Sequence, residues 1–375
     1  MKLFQRLLVA PAALGLMAPM AVNADTAFSS TTSLSGGAVF TIGSVADGGT
    51  SDTEEELYMQ YGYGLDVTSS FTGEDMLYMG METGNASGPL ASMDSSTGGT
   101  GAITLHSLFY AFPVGDLSVT AGPLVDQDDV VAATTSAYSD AFRLGSMPYS
   151  LAGNETGPGV GVAYSNDNGV VASVSFVSVG GSSSTVGIGA DNGDDVSTFT
   201  LGYNGDGFGG GLVIASNDGE GGTTGYDTFG GGIYYSPESI DATFSVAYDT
   251  NDPETGADAT DLFIGVDYEV GPGTLSAAYN TTDVDGSDTL DSTGFEVSYT
   301  YALNDNVSIT PGFFTVEDTS TGGGQNQIDF LSNGFFIRCD NSNSNMGNVT
   351  GNRYIYMAFA QAPLVGSNNV PCVAR

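Results

Sequence analysis

Five carboxyl side chains and one guanidinium lie near one another in the middle of the chain, and they are its strongest candidates for chemistry. The carboxyls are Asp126, Asp128, Asp129, Asp140 and Glu155, and the base is Arg143. Carboxylates that line a narrow aqueous passage attract cations and repel anions. The other interpretation of this group is an acidic surface loop that is only solvated.

The residues needed for enzymatic catalysis do not occur together. His106 is the only histidine, and it follows Ile103 and Leu105 in an alternating stretch, which places it in a strand. A Ser-His-Asp triad needs a histidine with a carboxylate partner, and no carboxylate flanks His106. Glycine-rich stretches such as residues 207–211 lack the lysine of a phosphate loop. The sequence therefore predicts a protein that is not an enzyme.

Clusters of acidic residues could also bind a metal ion. Asp283, Asp285, Asp288 and Asp291 are as dense as calcium ligands, but no twelve-residue loop with a closing glutamate appears. We expect no cofactor and no built metal site. Weak surface binding of calcium is the alternative to a solvated acidic loop. Cys339 and Cys372 are the only cysteines, and the sequence leaves open whether they form a disulfide or stay unpaired.

Composition excludes several classes of protein. The 375 residues contain 6 bases and 44 acids, for a formal charge of −38. Nucleic acids and anionic membrane surfaces are excluded as partners, because neutralising phosphates requires many lysines and arginines. Hydrophobic residues make up 41% of the chain, too many for a disordered acidic protein. The 55 glycines and 13% charged residues exclude a coiled coil or a helical bundle.

The first 24 residues have the pattern of a signal peptide. Lys2 and Arg6 precede an apolar run from Leu7 to Met20, and small side chains stand up to Ala24. We therefore expect export. No later run is long and apolar enough for a membrane-spanning helix, but the strands of a membrane β-barrel would escape such a search.

Tyrosines followed by tight turns recur about every 33 residues, which indicates an array of β-hairpins. They are Tyr164, Tyr203, Tyr235, Tyr268 and Tyr301. Between them, apolar and polar residues alternate, as in Leu262, Ile264 and Val266 against Asp267 and Glu269. Either a soluble sandwich, with its apolar face inward, or a membrane barrel, with that face toward lipid, accommodates such strands.

The connections distinguish these two architectures. Short turns alternate with long polar connections such as residues 180–194 and 216–227, as in outer-membrane barrels. The sequence thus predicts an all-β protein, an antiparallel transmembrane β-barrel of about 16 strands over residues 25–327. The five tyrosines would form an aromatic girdle at one membrane interface. The acids and Arg143 lie in residues 124–158, which break the hairpin rhythm, and a loop of this kind can fold inward and constrict a pore.

Several blocks resemble the cyanobacterial outer-membrane porins related to carbohydrate-selective porins. They are Leu108-Phe-Tyr-Ala-Phe-Pro-Val-Gly-Asp116, Val119-Thr-Ala-Gly-Pro123, Gln127-Asp-Asp129, Ser136-Ala-Tyr138, Phe28-Ser-Ser-Thr-Thr-Ser-Leu34 and Asn304-Asp-Asn-Val-Ser-Ile-Thr-Pro-Gly312. The resemblance implies a trimer-capable barrel in outer-membrane lipid, for passive diffusion of ions, carbohydrates and other small hydrophilic solutes. The S-layer-homology region usual in that family is absent, and the sequence does not end in the usual aromatic residue.

Residues 328–375 resemble a different family. The runs Ile328-Asp-Phe-Leu-Ser-Asn-Gly-Phe335 and Tyr354-Ile-Tyr-Met-Ala-Phe-Ala360 are similar to a short C-terminal module of bacteriophage virion and tail proteins. We therefore expect a boundary at 327/328, with a short β-rich C-terminal module beyond it. The leading hypothesis is a cation-favouring outer-membrane porin. The alternative is a structural or host-recognition protein of a phage virion with a porin-like body.

Overall fold

The computed structural model describes residues 31–44, 57–93, 96–139, 142–144, 149–153, 155–190, 193–219, 224–286, 291–318, 327–331 and 334–338. Two compact units divide the chain, Met1–Asp318 and Thr319–Arg375. The predicted signal peptide 1–24 and both cysteines lie outside the described residues. No helix among those residues has the length and hydropathy of a membrane-spanning helix.

The first unit is one antiparallel sheet of 16 strands, so the predicted fold class and strand number are confirmed. The strands are β1 Thr32–Gly43, β2 Tyr58–Ser69, β3 Met76–Gly84, β4 Thr104–Val114, β5 Leu117–Asp126, β6 Thr156–Ser165, β7 Val170–Val179, β8 Asp194–Asn204, β9 Phe208–Asn217, β10 Tyr226–Tyr235, β11 Ala242–Pro253, β12 Ala259–Val270, β13 Gly273–Val284, β14 Ser292–Asn304, β15 Val307–Ile309 and β16 Gly312–Asp318. From β1 to β15 each strand pairs with the next in sequence, and β16 pairs with β14.

The sheet has two edges. At one edge, β1 pairs with β2 alone. At the other edge, β15 and β16 both pair with β14, in successive registers. Among the described residues, no backbone pairing joins β1 to β16.

The strands bury their polar side chains and expose their apolar side chains, which is the reverse of the pattern in a soluble protein. On β8, Thr198 and Thr200 are 3% and 0% exposed, whereas Phe199 and Leu201 are 47% and 45% exposed. The same alternation holds on β11, where Ser245 is buried and Phe244 and Val246 are exposed. A sandwich would bury its apolar faces against each other. The structure therefore has the arrangement expected of a barrel, with apolar side chains outward and polar side chains inward.

Short turns and long connections alternate along most of the sheet, but the connection between β11 and β12, predicted to be long, has only residues 254–258. The turn between β12 and β13 has only residues 271–272, and Gly271 takes a φ of 63° there, a conformation that favours glycine. The connection between β5 and β6 is residues 127–155. Because consecutive strands are antiparallel, all short turns lie at one end of the strands and all long connections at the other.

The second unit contains one described hairpin, β17 Gln327–Leu331 and β18 Gly334–Arg338, paired antiparallel. The predicted boundary at 327/328 falls at the start of β17, whereas the two compact units divide between Asp318 and Thr319. The domain boundary drawn from the sequence stays a prediction.

Candidate functional site

The described residues of the connection between β5 and β6 (127–139, 142–144, 149–153 and 155) fold onto the polar face of the sheet, and we call them the inward segment. It begins with a short 3-10 turn, Gln127–Val130. Gln127 is fully buried, and its side chain donates to Thr198 Oγ1 at 3.0 Å and accepts from the backbone N of Glu155 at 3.3 Å. One side chain thus ties the first and last residues of the segment to the wall, and we call this place the neck.

From the neck, the inward segment crosses the inner faces of successive strands. Its backbone N–H groups donate to side chains on those strands, so the polar face of the sheet acts as a set of acceptors. These bonds run from Ala132 to Ser173 Oγ (3.2 Å), Ala137 to Ser245 Oγ (3.0 Å), Ser139 to Asp267 Oδ2 (2.8 Å) and Ser150 to Asp249 Oδ2 (2.7 Å).

Glu296 on β14 is the most heavily used of these acceptors. Its side chain is 0% exposed. One carboxylate oxygen accepts from Tyr138 Oη at 2.8 Å, and the other accepts from the backbone N of Arg143 at 3.0 Å and of Leu144 at 2.8 Å. Hydrogen bonds to a charged group are stronger than neutral ones, so Glu296 fixes the far part of the segment.

Glycines mark the path of the segment along the wall. A Cβ on Gly265 would lie 2.6 Å from Tyr138 Cδ2, and one on Gly211 would lie 2.5 Å from Ala133 Cβ. Real Cβ atoms do not approach other atoms so closely, so the segment can lie this near the sheet only where the wall has no side chain. The residues that share this property, which we call the glycine track, are Gly161, Gly202, Gly211, Gly232 and Gly265.

Aromatic packing supports the middle of the segment. Phe263 on β12 points inward and is 0% exposed. The Tyr138 ring meets it edge-on, with centroids 5.4 Å apart, and the Tyr149 ring lies at 5.5 Å. A buried inward phenylalanine is unusual on the polar face of a barrel, and here the segment covers it.

Three of the predicted constriction acids lie at the neck. Asp126 ends β5 and accepts from Thr156 Oγ1 at 3.0 Å, and Asp129 accepts from the backbone N of Asp126 at 2.8 Å. Asp128 is buried. The 3-10 turn brings these three carboxyls together, and it withdraws Asp128 from open space. Asp128 therefore does not line a passage.

Burial shifts the ionisation of these carboxyls. Burial, together with the neighbouring carboxyls Asp128 and Asp126, raises the pKa of Asp129 to about 8. Burial likewise raises the pKa of Asp128, and burial with the charges of Asp194 and Asp126 raises the pKa of Glu155. The neck thus carries less negative charge at neutral pH than its composition indicates.

Arg143 lies where the segment reaches the last strands. Its Nε donates to Ser92 Oγ at 3.3 Å, and its guanidinium carbon lies 5.5 Å from the centre of the Phe314 ring. Asp140 lies outside the described residues, so its predicted role stays a prediction.

Sequence reasoning placed acids such as Asp267 and Glu269 on the polar face of the strands but did not name the acids of the wall as candidate site residues. Every charged side chain that points inward from β1–β16 in the described residues is a carboxylate, since these strands contain no lysine or arginine. The sequence contained the information, because side chains alternate between the two faces of a strand, so every second residue points inward. The inward acids are Asp66, Glu82, Asp194, Asp249, Asp261, Asp267, Glu269 and Glu296.

The five tyrosines predicted as a girdle share one face and one end of the sheet. Each lies on the outward face, within the last four residues of a strand that leads into a short turn. Tyr203, Tyr235 and Tyr268 are exposed, and Tyr203 stacks on Phe208 with ring centroids 5.2 Å apart. The geometry is that of an aromatic belt, and the role itself stays a prediction.

Solved outer-membrane proteins share this architecture. A loop L8 deletion mutant of OmpT, an outer membrane protein of Vibrio cholerae, is 12% identical, with a TM-score of 0.52 over 76% of this chain and 94% of that chain. A mutant of the Rh. blastica porin is 15% identical, with a TM-score of 0.53 over 77% of this chain and 95% of that one. At these identities the likeness shows the fold, that of porin β-barrels.

Sequence comparison adds one match. Residues 300–363 match a family described as a domain of unknown function (DUF7483). The match begins within β14, before the predicted boundary at 327/328. No curated protein matches the chain.

Proposed function

We propose that this protein is an outer-membrane porin that lets ions and small hydrophilic solutes diffuse passively, with cations favoured. The observation that carries the proposal is the reversed burial of the strands, with phenylalanine and leucine outward and threonine and serine inward. In water, exposed apolar side chains all around a sheet would be costly, whereas in a bilayer they are in their preferred solvent.

The tyrosines support the same orientation. Tyrosine has an apolar ring and a polar hydroxyl, and it is enriched where hydrocarbon meets headgroups. The five tyrosines before the short turns would then mark the periplasmic interface of the membrane, and the long connections would face outward from the cell.

Charge inside the sheet supports cation preference. Glu82 and Asp66 point inward from β3 and β2, on a part of the wall that the inward segment does not cover, and no strand of the described sheet contributes a base. A passage with low-dielectric walls and one sign of charge concentrates ions of the opposite sign. Cations would therefore enter this interior more readily than anions.

Export by residues 1–24, outer-membrane location, a homotrimer and carbohydrate among the solutes are parts of this proposal that rest on the sequence. Weak surface calcium binding belongs with them, with Asp283 and Asp285 as its candidates. The virion alternative rests mainly on the resemblance of residues 328–375, and we do not favour it.

The test is planar-bilayer conductance of refolded residues 25–375 under a salt gradient. We expect discrete steps and a cation-selective reversal potential. Glu82→Gln should lower the cation selectivity, because Glu82 faces inward. Asp227→Asn removes the same charge from an exposed outward position and should leave the selectivity unchanged. Folded protein without steps would overturn the channel, and anion selectivity would overturn the cation preference alone.

A further inference from the structure

A second connection also turns inward. Between β3 and β4, residues 85–103 pack against the inner face of β2, and we call them the second inward segment, with residues 94 and 95 outside the described ranges. Gln60 is buried, and its Nε2 donates to Leu90 O at 2.7 Å and to Ser96 Oγ at 2.8 Å. The Leu90 backbone N donates to Tyr58 Oη at 2.8 Å. These three hydrogen bonds fix the second inward segment to β2.

The two inward segments meet. Leu90 and Met93 from the second segment and Phe142 from the first form one apolar cluster, with side chains 6%, 8% and 8% exposed. A polar contact lies beside it, where Arg143 Nε donates to Ser92 Oγ at 3.3 Å. We call this cluster the junction.

The junction lies against both edges of the sheet. On the β16 side, the Phe142 ring meets the Phe314 ring at 70° with centroids 6.1 Å apart, and a Cβ on Gly312 would lie 2.8 Å from Phe142 Cζ. On the β1 side, a Cβ on Gly43 would lie 3.1 Å from Leu90 Cδ1. The junction therefore contacts the first and the last strand, which no backbone hydrogen bond joins in the described sheet.

We propose that the junction is a clasp that holds the first and last strands of the sheet next to each other from the inside. A cluster that only filled space inside the sheet would need contacts with one edge of the sheet and not with both. This one receives Leu90 from a segment fixed to β2 by Gln60, and Phe142 from a segment fixed to β14 by Glu296. Burial of the three side chains couples those two attachments across the line where the sheet has its edges.

The clasp does not depend on the proposed channel, since it concerns how the sheet holds together and not what passes through it. Its test is therefore a distance and not a conductance. The full chain, with Cys339→Ser and Cys372→Ser, would carry spin labels at Ile42→Cys on β1 and Phe313→Cys on β16. Both positions point outward and are exposed, so the labels leave the junction intact.

Pulsed electron paramagnetic resonance would give the distance distribution between the labels. We expect Phe142→Ala to make it longer and broader. Phe109→Ala is the matched control, because Phe109 is 7% exposed and packs in a different inner cluster, with Val130 and Ala163. The control should leave the distribution as it is. An unchanged distribution in Phe142→Ala, or an equal change in both variants, would overturn the clasp.

A second pair of variants covers the case in which Phe142→Ala does not fold. Met93→Ala removes less of the junction and should broaden the distribution by a smaller amount. Leu90→Ala removes the side chain that faces β1 and should also broaden the distribution. If neither Met93→Ala nor Leu90→Ala broadens it, the junction does not hold the two strands.

Discussion

The inner wall of the sheet has two parts, one covered by the inward segment and one left uncovered, and their residues differ. The covered part, from β6 to β14, presents glycine, serine and threonine where the backbone of the segment passes closest, such as Gly211, Ser173 and Thr200. The second inward segment covers β2 near Gln60 and β3 near Gly84, and the uncovered part of these two strands carries acids, among them Asp66, which accepts from Tyr78 Oη at 2.7 Å. On the covered part, small wall residues let the backbone of the segment lie close to the sheet.

The largest effect should come from removing the main acceptor on the covered side. Glu296→Ala leaves Tyr138 Oη and two backbone N–H groups without their partner, and each unsatisfied buried donor costs about 1–3 kcal/mol. We expect a loss of about 3–5 kcal/mol in the free energy of unfolding, measured by urea titration in detergent.

The control for this variant is Glu82→Ala, which removes an inward glutamate from the uncovered part. It should cost less than about 1 kcal/mol, because Glu82 is half-buried and a carboxylate that water still reaches contributes little. Equal losses in the two variants would contradict the distinction between covered and uncovered wall.

A smaller effect should come from the glycine track. Gly265→Ala introduces a methyl group against the Tyr138 ring, and overpacking of this kind costs typically about 1–3 kcal/mol. Gly98→Ala is the matched change at a position where nothing lies within 4 Å of the new methyl, and it should be close to neutral. Urea unfolding of both variants measures the difference, and a neutral Gly265→Ala would mean that the segment does not lie where we describe it.

The neck should give the protein a pH dependence. The pKa of Asp129 rises from 3.8 to about 8 on folding, so folding favours its protonated form. Its contribution to stability is present at pH values below 3.8 and is lost as the pH rises toward 8. We expect Asp129→Asn, which keeps an acceptor for the backbone N of Asp126, to stabilise the protein at pH 8 and not at pH 4. Thermal unfolding at the two pH values measures this, and equal shifts at both would exclude the effect.

The smallest difference in stability between two matched variants is expected on the outward face, which the inward segment does not touch. Phe229→Ala on β10, behind the covered part, and Phe40→Ala on β1 both remove an exposed ring. Each should cost about 1–2 kcal/mol in lipid, and by a similar amount, since both rings exchange lipid for water on unfolding. A much larger loss at Phe229 would mean that the inward segment stabilises the outer face as well, and urea unfolding in lipid would detect it.

Much of the wall could be predicted from the sequence because the period of a strand is two. The alternation of side chains alone assigns Phe199 to the outward face and Thr200 to the inward face. The tight turns that contain Gly207 and Gly271 set the ends of the strands. Residues 124–158 interrupt the alternation of apolar and polar residues, and this interruption identified the inward segment.

The site within that segment could not be predicted in the same way. The contact between Tyr138 and Glu296 joins residues 158 apart in sequence, and no local pattern shows which strand a segment reaches. The acids near Gln127 were assigned to a passage on charge alone, whereas the 3-10 turn packs them together at the neck. The second inward segment had no sequence signal, because its anchors, Gln60 and Leu90, look like ordinary strand and loop residues.

The position of Arg143 has a practical consequence for proteolysis. It is the only lysine or arginine between residues 31 and 318, so trypsin has one cleavage site in the whole first unit beyond residue 30. That site is the bond between Arg143 and Leu144, and both backbone N–H groups beside it are held by Glu296. A protease needs a segment of extended, free backbone, so the docked segment resists cleavage and a released one is cut. A single band shift on a gel would therefore report, for any variant, whether the inward segment is in place.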